Sequence, residues 1–580
     1  MAETMMLGNQ AVARGLWEAG CRFVSSYPGT PSTEITEYVS EYPEVYAEWA
    51  PNEKVAVEAA VGASVAGARA FSGMKHVGLN VAADPIFTAA YTGVSAGLVV
   101  AVADDQGMHS SQNEQDSRHY ARAAKLPMLE PSDSAECLDF ARRAFDLSEA
   151  HDTPVLLRLS TRVSHSQSRV TPSERQERER RPYQKDAGKY VMVPAAARVR
   201  HAAVETRLTA LTEVAETSAF NTVERHDKRI GVVAAGIAYQ TAREALGEKA
   251  SYFKLGMIWP LPEASLRAFA AEVDTLFVIE ELDDFIETHC RKLGLAVQGK
   301  ALFSPLGEYT AEQVRAVILG TEAPAQTPAA IPGRPPVLCP GCPHRGLFHV
   351  LHKMKLTVTG DIGCYTLGAS PPLSAIDLCI CMGASVSSLH GFVQVRPEMA
   401  GQTVAVIGDS TFFHSGITGL INMVYNKSHG TVLILDNAIT GMTGHQQNPA
   451  TGLTLQGVPT HKLDIEALCR AVGVGRVRVL DPHDLAEMEA ALREELAAPE
   501  PSVIVARRPC VLLPYVKRET PLAIDGPNCR GCRACMNIGC PAIRTDGRVM
   551  TIDRSLCVGC GLCARLCRFG AIHPEGEQKA

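Results

Sequence analysis

The sequence predicts an α/β protein in which three successive parallel-sheet domains are closed by a small cysteine-rich module. Apolar runs of strand length end in short polar loops and alternate with helical stretches, the order of parallel βα units. At 580 residues the chain has room for about four domains. A hydrophobic content of 46% with 21% charged residues is enough to fill large cores. Of the 18 cysteines, eight fall between Cys529 and Cys567. The net charge of −7 shows no basic excess and argues against nucleic acid as a partner. Residues 1–10 lack the pattern of a signal peptide, and no apolar segment reaches the roughly 18 residues of a membrane span. A cytoplasmic location is expected. In a reducing cytosol, closely spaced thiols point to metal or redox cofactors rather than to disulfides.

The first domain is expected over 1–165. Val55 to Ala70 is small, apolar and helix-compatible, and Leu98-Val-Val-Ala-Val-Ala103 reads as a buried parallel strand running into a polar loop. Residues 166–228 turn polar, as in Glu174-Arg-Gln-Glu-Arg-Glu-Arg-Arg181, and read as a solvated helix or connecting arm. A smaller α/β domain follows over 229–320, with strands at Ile230-Gly-Val-Val-Ala-Ala-Gly236 and Thr275-Leu-Phe-Val-Ile-Glu280. Its Pro and Ala content marks 321–336 as an extended linker. The third domain spans 337–522, with strands at Thr403-Val-Ala-Val-Ile407 and Thr431-Val-Leu-Ile-Leu435, and the cysteine module fills 523–580.

The module contains two runs, Cys529-x2-Cys532-x2-Cys535-x4-Cys540-Pro541 and Cys557-x2-Cys560-x2-Cys563-x3-Cys567. Three thiolates at this spacing wrap one face of an iron–sulfur cube. Zinc knuckles also use CxxC pairs, but four-coordinate zinc needs no third cysteine at the next step of both runs. In bacterial ferredoxins each run gives three ligands to one [4Fe–4S] cluster and its fourth to the other. Similarity to them implies Cys529, Cys532, Cys535 and Cys567 around one cluster, and Cys557, Cys560, Cys563 and Cys540 around the second. The first run has one extra residue before its last cysteine, and the second is followed by Arg568 where a proline is usual.

The strand from Thr403 ends in Gly408-Asp409-Ser410, and the next strand ends in Asp436-Asn437-Ala438-Ile439. A hard divalent cation bridging a diphosphate takes oxygen ligands in an octahedron. Asp409, the Asn437 side-chain oxygen and the Ile439 carbonyl offer three for Mg2+, at the strand ends where parallel sheets bind ligands. Gly-Asp-Ser alone is an ordinary turn. Preceded by a strand and followed by a strand ending in Asn, Gly408, Asp409 and Ser410 match the thiamine diphosphate motif. Ala438 departs from its frequent second Asn. The loop Gly441-Met-Thr-Gly-His-Gln446 resembles the GMTGGQ loop of 2-oxoacid oxidoreductases, which implies cofactor contacts from Gly441 and Thr443. His445 replaces a glycine of that loop, and two readings stand beside each other: a catalytic group meeting substrate, or a solvated loop histidine.

Further upstream stand Cys339-Pro-Gly-Cys342 and Cys364 in Asp361-Ile-Gly-Cys-Tyr365, and downstream Cys510 in Arg508-Pro-Cys-Val511. In related oxidoreductases a cluster beside the thiamine is held by a CxxC pair, a cysteine in a Gly-rich loop and a distant cysteine. The resemblance implies a third cluster on Cys339, Cys342, Cys364 and Cys510, with zinc or unliganded core thiols as the alternatives. Cys379 and Cys381 lie in an apolar stretch and are expected in the core.

Along almost its whole length the chain resembles the alpha subunit of indolepyruvate ferredoxin oxidoreductases. The segments that carry the likeness include Tyr27-Pro-Gly-Thr-Pro-Ser32, Asn52-Glu-Lys54, His109-Ser-Ser-Gln-Asn-Glu-Gln-Asp116 and Cys339-Pro-Gly-Cys-Pro-His-Arg345. The resemblance implies transketolase-like parallel-sheet domains that bind thiamine diphosphate, with a C-terminal 2[4Fe–4S] ferredoxin-like domain. The pyrimidine side would fall in 1–165, a transketolase C-terminal-like domain in 229–320, and the diphosphate and magnesium side in 337–522. Glu53 would hydrogen-bond the aminopyrimidine ring and favour the tautomer that removes the reactive proton of the cofactor, with Glu58 the alternative. Thr30 would touch cofactor or substrate. His109, Ser111 and Gln112 follow a strand end and either line the substrate pocket or serve structure alone. The implied reaction is oxidative decarboxylation of arylpyruvates with coenzyme A, giving aryl-acetyl-CoA, carbon dioxide and reduced ferredoxin. A smaller beta subunit, in a heterotetramer, is the implied partner. Two other classes stand beside this one: a non-oxidative thiamine-dependent decarboxylase or synthase, and an electron-transfer subunit without thiamine chemistry. The ferredoxin-type cysteines weigh against the first, and Asp409 with Asn437 against the second.

Overall fold

The computed structural model describes residues 3–321 and 335–576; most of the expected linker, residues 322–334, lies outside them. The chain divides into two compact units, 1–329 and 330–580.

The first unit carries two large sheets. Its seven-stranded sheet runs in the spatial order Met257–Trp259, Met128–Leu129, Val155–Ser160, Leu98–Asp104, Ala70–Lys75, Phe23–Ser26, Tyr46–Trp49. All pairings are parallel except that of Met257–Trp259, which lies antiparallel at one edge. Leu98–Asp104 is buried along its whole length, which is why it reads as an unbroken apolar run. Winding reverses between Phe23–Ser26 and Ala70–Lys75, and a switch point of this kind opens a crevice at the carboxyl ends of the strands. The helix expected from Val55 to Ala70 is Glu53–Val65. Asn52 caps it by accepting from Val55 N at 2.9 Å, and Ala70 opens a strand instead.

The five-stranded sheet orders Val297–Gln298, Thr275–Ile279, Ile230–Ala235, Ser251–Leu255 and Thr222–Glu224, the last antiparallel. Residues 166–228 therefore do more than connect. Gln167–Val170 pairs with Thr4–Leu7, and the helix Pro194–Thr217 buries Val204, Leu211 and Ala215. The charged run 174–181 is extended rather than helical, tied down by Gln176 N to Glu18 O and Arg181 N to Gly67 O.

Buried ions join the two sheets. Arg118, 1% exposed, donates to Asp116 Oδ1 at 2.8 Å and, from beyond the end of Thr275–Ile279, to Glu280 Oε2 at 2.6 Å. Burial opposes the charge on Arg118, but the carboxylates raise its proton affinity well above the ordinary value. Removing one partner of such a network strands the other charges without water. Arg118→Ala is expected to destabilise the first unit by about 3–5 kcal/mol, read by denaturant unfolding. A change within about 0.5 kcal/mol, as for an ordinary surface site, would show that the network does not bind the sheets together.

The second unit is built on six parallel strands in the order Leu378–Cys379, Thr357–Gly360, Thr403–Gly408, Gly430–Asp436, Pro501–Arg507, Arg476–Leu480. Its switch point lies between Thr357–Gly360 and Thr403–Gly408. Cys379 and Cys381, expected in the core, are exposed. Their apolar stretch forms a two-residue strand at the sheet's edge, so no further strand covers it. The C-terminal module consists of two small antiparallel ribbons, Leu522–Ile524 with Ile572–Pro574 and Ile543–Asp546 with Val549–Ile552, around a core rich in cysteine. Among the described residues no helix is long and apolar enough to cross a membrane.

Candidate active site

In the first unit the crevice at the switch point gathers several of the expected residues. Thr30 follows Phe23–Ser26, Lys75 closes Ala70–Lys75, and Glu53, 4% exposed, opens its helix. Lys75 Nζ donates to Ser110 O at 2.9 Å, and the Ser110 hydroxyl reaches Thr30 O at 3.4 Å. Burial pushes the Lys75 ammonium down, against the pull of Asp105 and Glu53. Burial pushes the Asp105 carboxyl up. Bonds from Ser111 Oγ (2.7 Å), Ser110 N (2.8 Å) and Thr161 Oγ1 (2.8 Å) nonetheless hold it below its ordinary value. Lys75 and Asp105 carried no role in the sequence reading; their signal is their place at strand ends beside the switch point. Ser111 is drawn into this network. His109 instead turns to Glu308 at 3.1 Å, and Gln112 is exposed. Glu58, the alternative to Glu53, is exposed and paired with Lys54.

Gly78 fixes the Glu53 carboxyl sterically, because a Cβ there would lie 2.5 Å from Glu53 Oε1. Alanine favours a helix interior over glycine by about 1 kcal/mol, so Gly78→Ala is expected to leave unfolding nearly unchanged. Displacing a catalytic group by about 1 Å costs on the order of 10²-fold, and turnover is expected to fall by that much. Turnover at the wild-type level would dissociate this carboxyl from the chemistry.

In the second unit, Asp409, Asn437 and Ile439 converge at the ends of Thr403–Gly408 and Gly430–Asp436. One end of the Asn437 side-chain amide lies 2.8 Å from Ile439 O and 3.2 Å from Asp409 Oδ2. With nitrogen at that end, the amide donates to both. With oxygen there, three oxygens face one another and repel unless a cation lies among them. Their separations suit an octahedron with metal–oxygen bonds of about 2.1 Å, whose edges are about 3.0 Å. Burial and the neighbouring Asp436 push the Asp409 carboxyl up to about 8. A buried carboxyl of this kind gains its charge when a cation replaces its proton. Ser410 N donates to Asp409 Oδ1 at 2.6 Å. Gly408 has no room for a Cβ, which would meet Tyr365 Cε1 at 2.6 Å.

The loop after Ile439 is closed by paired backbone bonds between Thr440 and Gln446. Thr443 Oγ1 donates to Gln446 Oε1 at 2.6 Å, which commits it to the loop itself. A Cβ on Gly441 would lie 3.5 Å from Cys364 Sγ and 3.8 Å from Asn437 Nδ2. Gly441 thus lies beside both the Asn437 amide and the Cys364 thiol. On the other side, Cys510 N donates to Asn437 O at 2.9 Å. His445, exposed and with φ 70°, stands 3.9 Å from Cys510 Sγ. The structure sets it against a thiol.

The twelve cysteines of the expected cluster sites fall into three sets. Cys364 has Cys510 and Cys339 as its electrostatic neighbours, and Cys342 has Cys339 and Cys364. Cys529, Cys532, Cys535 and Cys567 line one cavity. Cys540, Cys557, Cys560 and Cys563 line a second. Four sulfurs around one zinc, with bonds of about 2.3 Å, would lie about 3.8 Å apart. Among the described residues no three cysteine sulfurs come within 4.8 Å of one another. The donor sets are all-thiol and wider than the sulfur spacing around a single zinc. Burial pushes the thiols of Cys342 and Cys563 up to about 12, so they become thiolates by taking a metal. The first set abuts the module: Gly341, with φ +70°, would place a Cβ 2.3 Å from Val558 and 3.6 Å from Cys560 Cβ.

Three parts of the chain match known protein families. Residues 14–231 match the family described as "Pyruvate flavodoxin/ferredoxin oxidoreductase, thiamine diP-bdg". Residues 361–506 match "Thiamine pyrophosphate enzyme, C-terminal TPP binding domain", and residues 550–573 match "4Fe-4S binding domain". The indolepyruvate oxidoreductase subunit IorA of Archaeoglobus fulgidus is 41% identical, over 99% of this chain and 97% of its own length. Those of Methanothermobacter thermautotrophicus and Pyrococcus horikoshii are 40% and 38% identical, over 99% of this chain and 97% and 98% of their own lengths. Thiamine-binding parallel-sheet domains and an iron–sulfur module are thus joined in one polypeptide, and the chain belongs to the family of indolepyruvate oxidoreductase subunit IorA.

Proposed function

We propose that the chain is the catalytic subunit of an enzyme that oxidises arylpyruvates, indolepyruvate among them. One 2-oxoacid anion, coenzyme A and two oxidised ferredoxins would become aryl-acetyl-CoA, carbon dioxide, two reduced ferredoxins and one proton. The observation that carries the reading is the continuity around Asn437. Its carbonyl accepts from Cys510 N, and a Cβ on Gly441 would lie within 4 Å of both its side-chain amide and the Cys364 thiol. When bound, thiamine diphosphate supplies the electron sink for decarboxylation.

The residues divide that work. Asp409, Asn437 and the Ile439 carbonyl would hold Mg2+, with Gly408 and Ser410 shaping the turn. Glu53 holds the pyrimidine ring and its proton, while Thr30 and Ser111, set by Lys75 and Asp105, face the substrate. Cys339, Cys342, Cys364 and Cys510 hold an inner [4Fe–4S] cluster with His445 beside it. The two cysteine sets of the module would hold the outer pair, whose chemistry would be one-electron transfer to ferredoxin. A cytoplasmic setting and a smaller beta subunit, in a heterotetramer, complete the proposal.

The test uses anaerobic protein with its partner subunit, an arylpyruvate, coenzyme A and a low-potential dye. Dye reduction matched by carbon dioxide and the acyl thioester is expected. Carbon dioxide without dye reduction would make the enzyme a non-oxidative decarboxylase. Absence of turnover, with no thiamine retained, would leave an electron-transfer subunit.

A further inference from the structure

Among the described residues, Arg345 is a buried cation without a carboxylate partner. It is the second residue of the helix His344–Met354 and is 2% exposed. Its guanidinium donates to three backbone carbonyls: Nε to Cys339 O at 3.0 Å, Nη1 to Ile538 O at 2.8 Å, and Nη2 to Leu338 O. Two of these carbonyls belong to the loop bearing Cys339 and Cys342, and the third to the module just before Cys540. Its leading electrostatic neighbours are thiols from both places, Cys540 and Cys342 first, then Cys339 and Cys560. An isolated charge in such surroundings is costly, and buried charges persist where they are paired. Here the leading counter-charges, once they are thiolates, are the sulfurs of two different sets.

We propose that Arg345 is the shared counter-charge of the inner cluster and the Cys540–Cys557–Cys560–Cys563 cluster, and that it raises the reduction potentials of both. A cluster held by four thiolates is an anion and gains a further negative charge on reduction. A fixed cation against its ligands therefore stabilises the reduced form. Standing between two such anions, one guanidinium also offsets their mutual repulsion, so an electron reaching the inner site meets a smaller barrier to leaving it. Arg345 acts through the ligands and is a positioning residue. The inference rests on the cluster assignment given under Proposed function.

The test compares the wild-type holoenzyme with Arg345→Lys and Arg345→Gln by iron and sulfide content and by redox titration followed by paramagnetic resonance. In Arg345→Gln both clusters are expected to become harder to reduce, by about tenfold in the reduced-to-oxidised ratio, or 59 mV for a one-electron couple. Arg345→Lys, which keeps the charge and loses the fork, is expected to stay near wild type. If Arg345→Gln fails to hold iron while Arg345→Lys holds it at wild-type potentials, charge is again the requirement and the proposal stands. Fully loaded Arg345→Gln with both potentials unchanged overturns it. So does loss of iron from both variants, which would make the hydrogen-bonding fork the essential feature. Wild-type protein with only about eight irons instead of about twelve removes the inner cluster itself, a failure of the underlying reading and distinct from the others.

Discussion

Glu53→Gln is expected to lower the oxidation of arylpyruvate by about 10²- to 10⁴-fold, the range that a positioned acid–base group contributes. The substitution keeps the shape of the side chain, which is packed against Gly78 at the start of a helix capped by Asn52. The iron and sulfide content should be unchanged, because Glu53 lies in the first unit and the cluster cysteines in the second. The loss should therefore fall on turnover, with dye reduction by an artificial reductant intact. A variant that retained more than about a tenth of wild-type turnover would return Glu53 to a structural role.

Asp409→Ala should act on cofactor binding rather than on folding. Asp409 is 2% exposed, and burial with its neighbour Asp436 pushes its carboxyl up to about 8. The free protein therefore keeps this side chain at a cost, and its removal should leave the unfolding midpoint unchanged or raise it, as often happens at functional sites. Binding of thiamine diphosphate with Mg2+ should weaken by about 10²- to 10⁴-fold, since stripping one ligand from a buried charge costs about 3–5 kcal/mol. Calorimetric titration of the thiamine-free protein gives both numbers. Unaltered affinity would place the cation elsewhere.

The sequence showed most plainly what is local. Asp409 and Asn437 stand out because a strand immediately precedes each, and the cysteine runs because three thiols of one cube face are near neighbours in sequence. Leu98–Asp104 was legible because a strand covered on both faces has no polar alternation. What depends on distant pairing was not. Met257–Trp259 leaves its own domain region to join the edge of the first sheet through only three residues. The helix Pro194–Thr217 is polar enough to read as a solvated arm, although Val204, Leu211 and Ala215 are buried. Cys379 and Cys381 are apolar by composition and exposed by their place at a sheet edge, which no window of sequence reveals. Arg345 sat in a recognisable segment, and Lys75 at the end of a strand, without assigned roles. Their surroundings, a switch-point crevice for one and two sets of thiols for the other, come together only in three dimensions.

The central claim is that oxidation at the thiamine site delivers electrons to iron within this same chain. It is tested most directly by mixing the anaerobic, oxidised holoenzyme with an arylpyruvate in the absence of any external acceptor, freezing within one turnover and recording the paramagnetic resonance spectrum. The account predicts signals of reduced [4Fe–4S] clusters that rise with carbon dioxide release and vanish in Cys339→Ser at the inner site. Carbon dioxide released at the same rate while every cluster stays oxidised would contradict it.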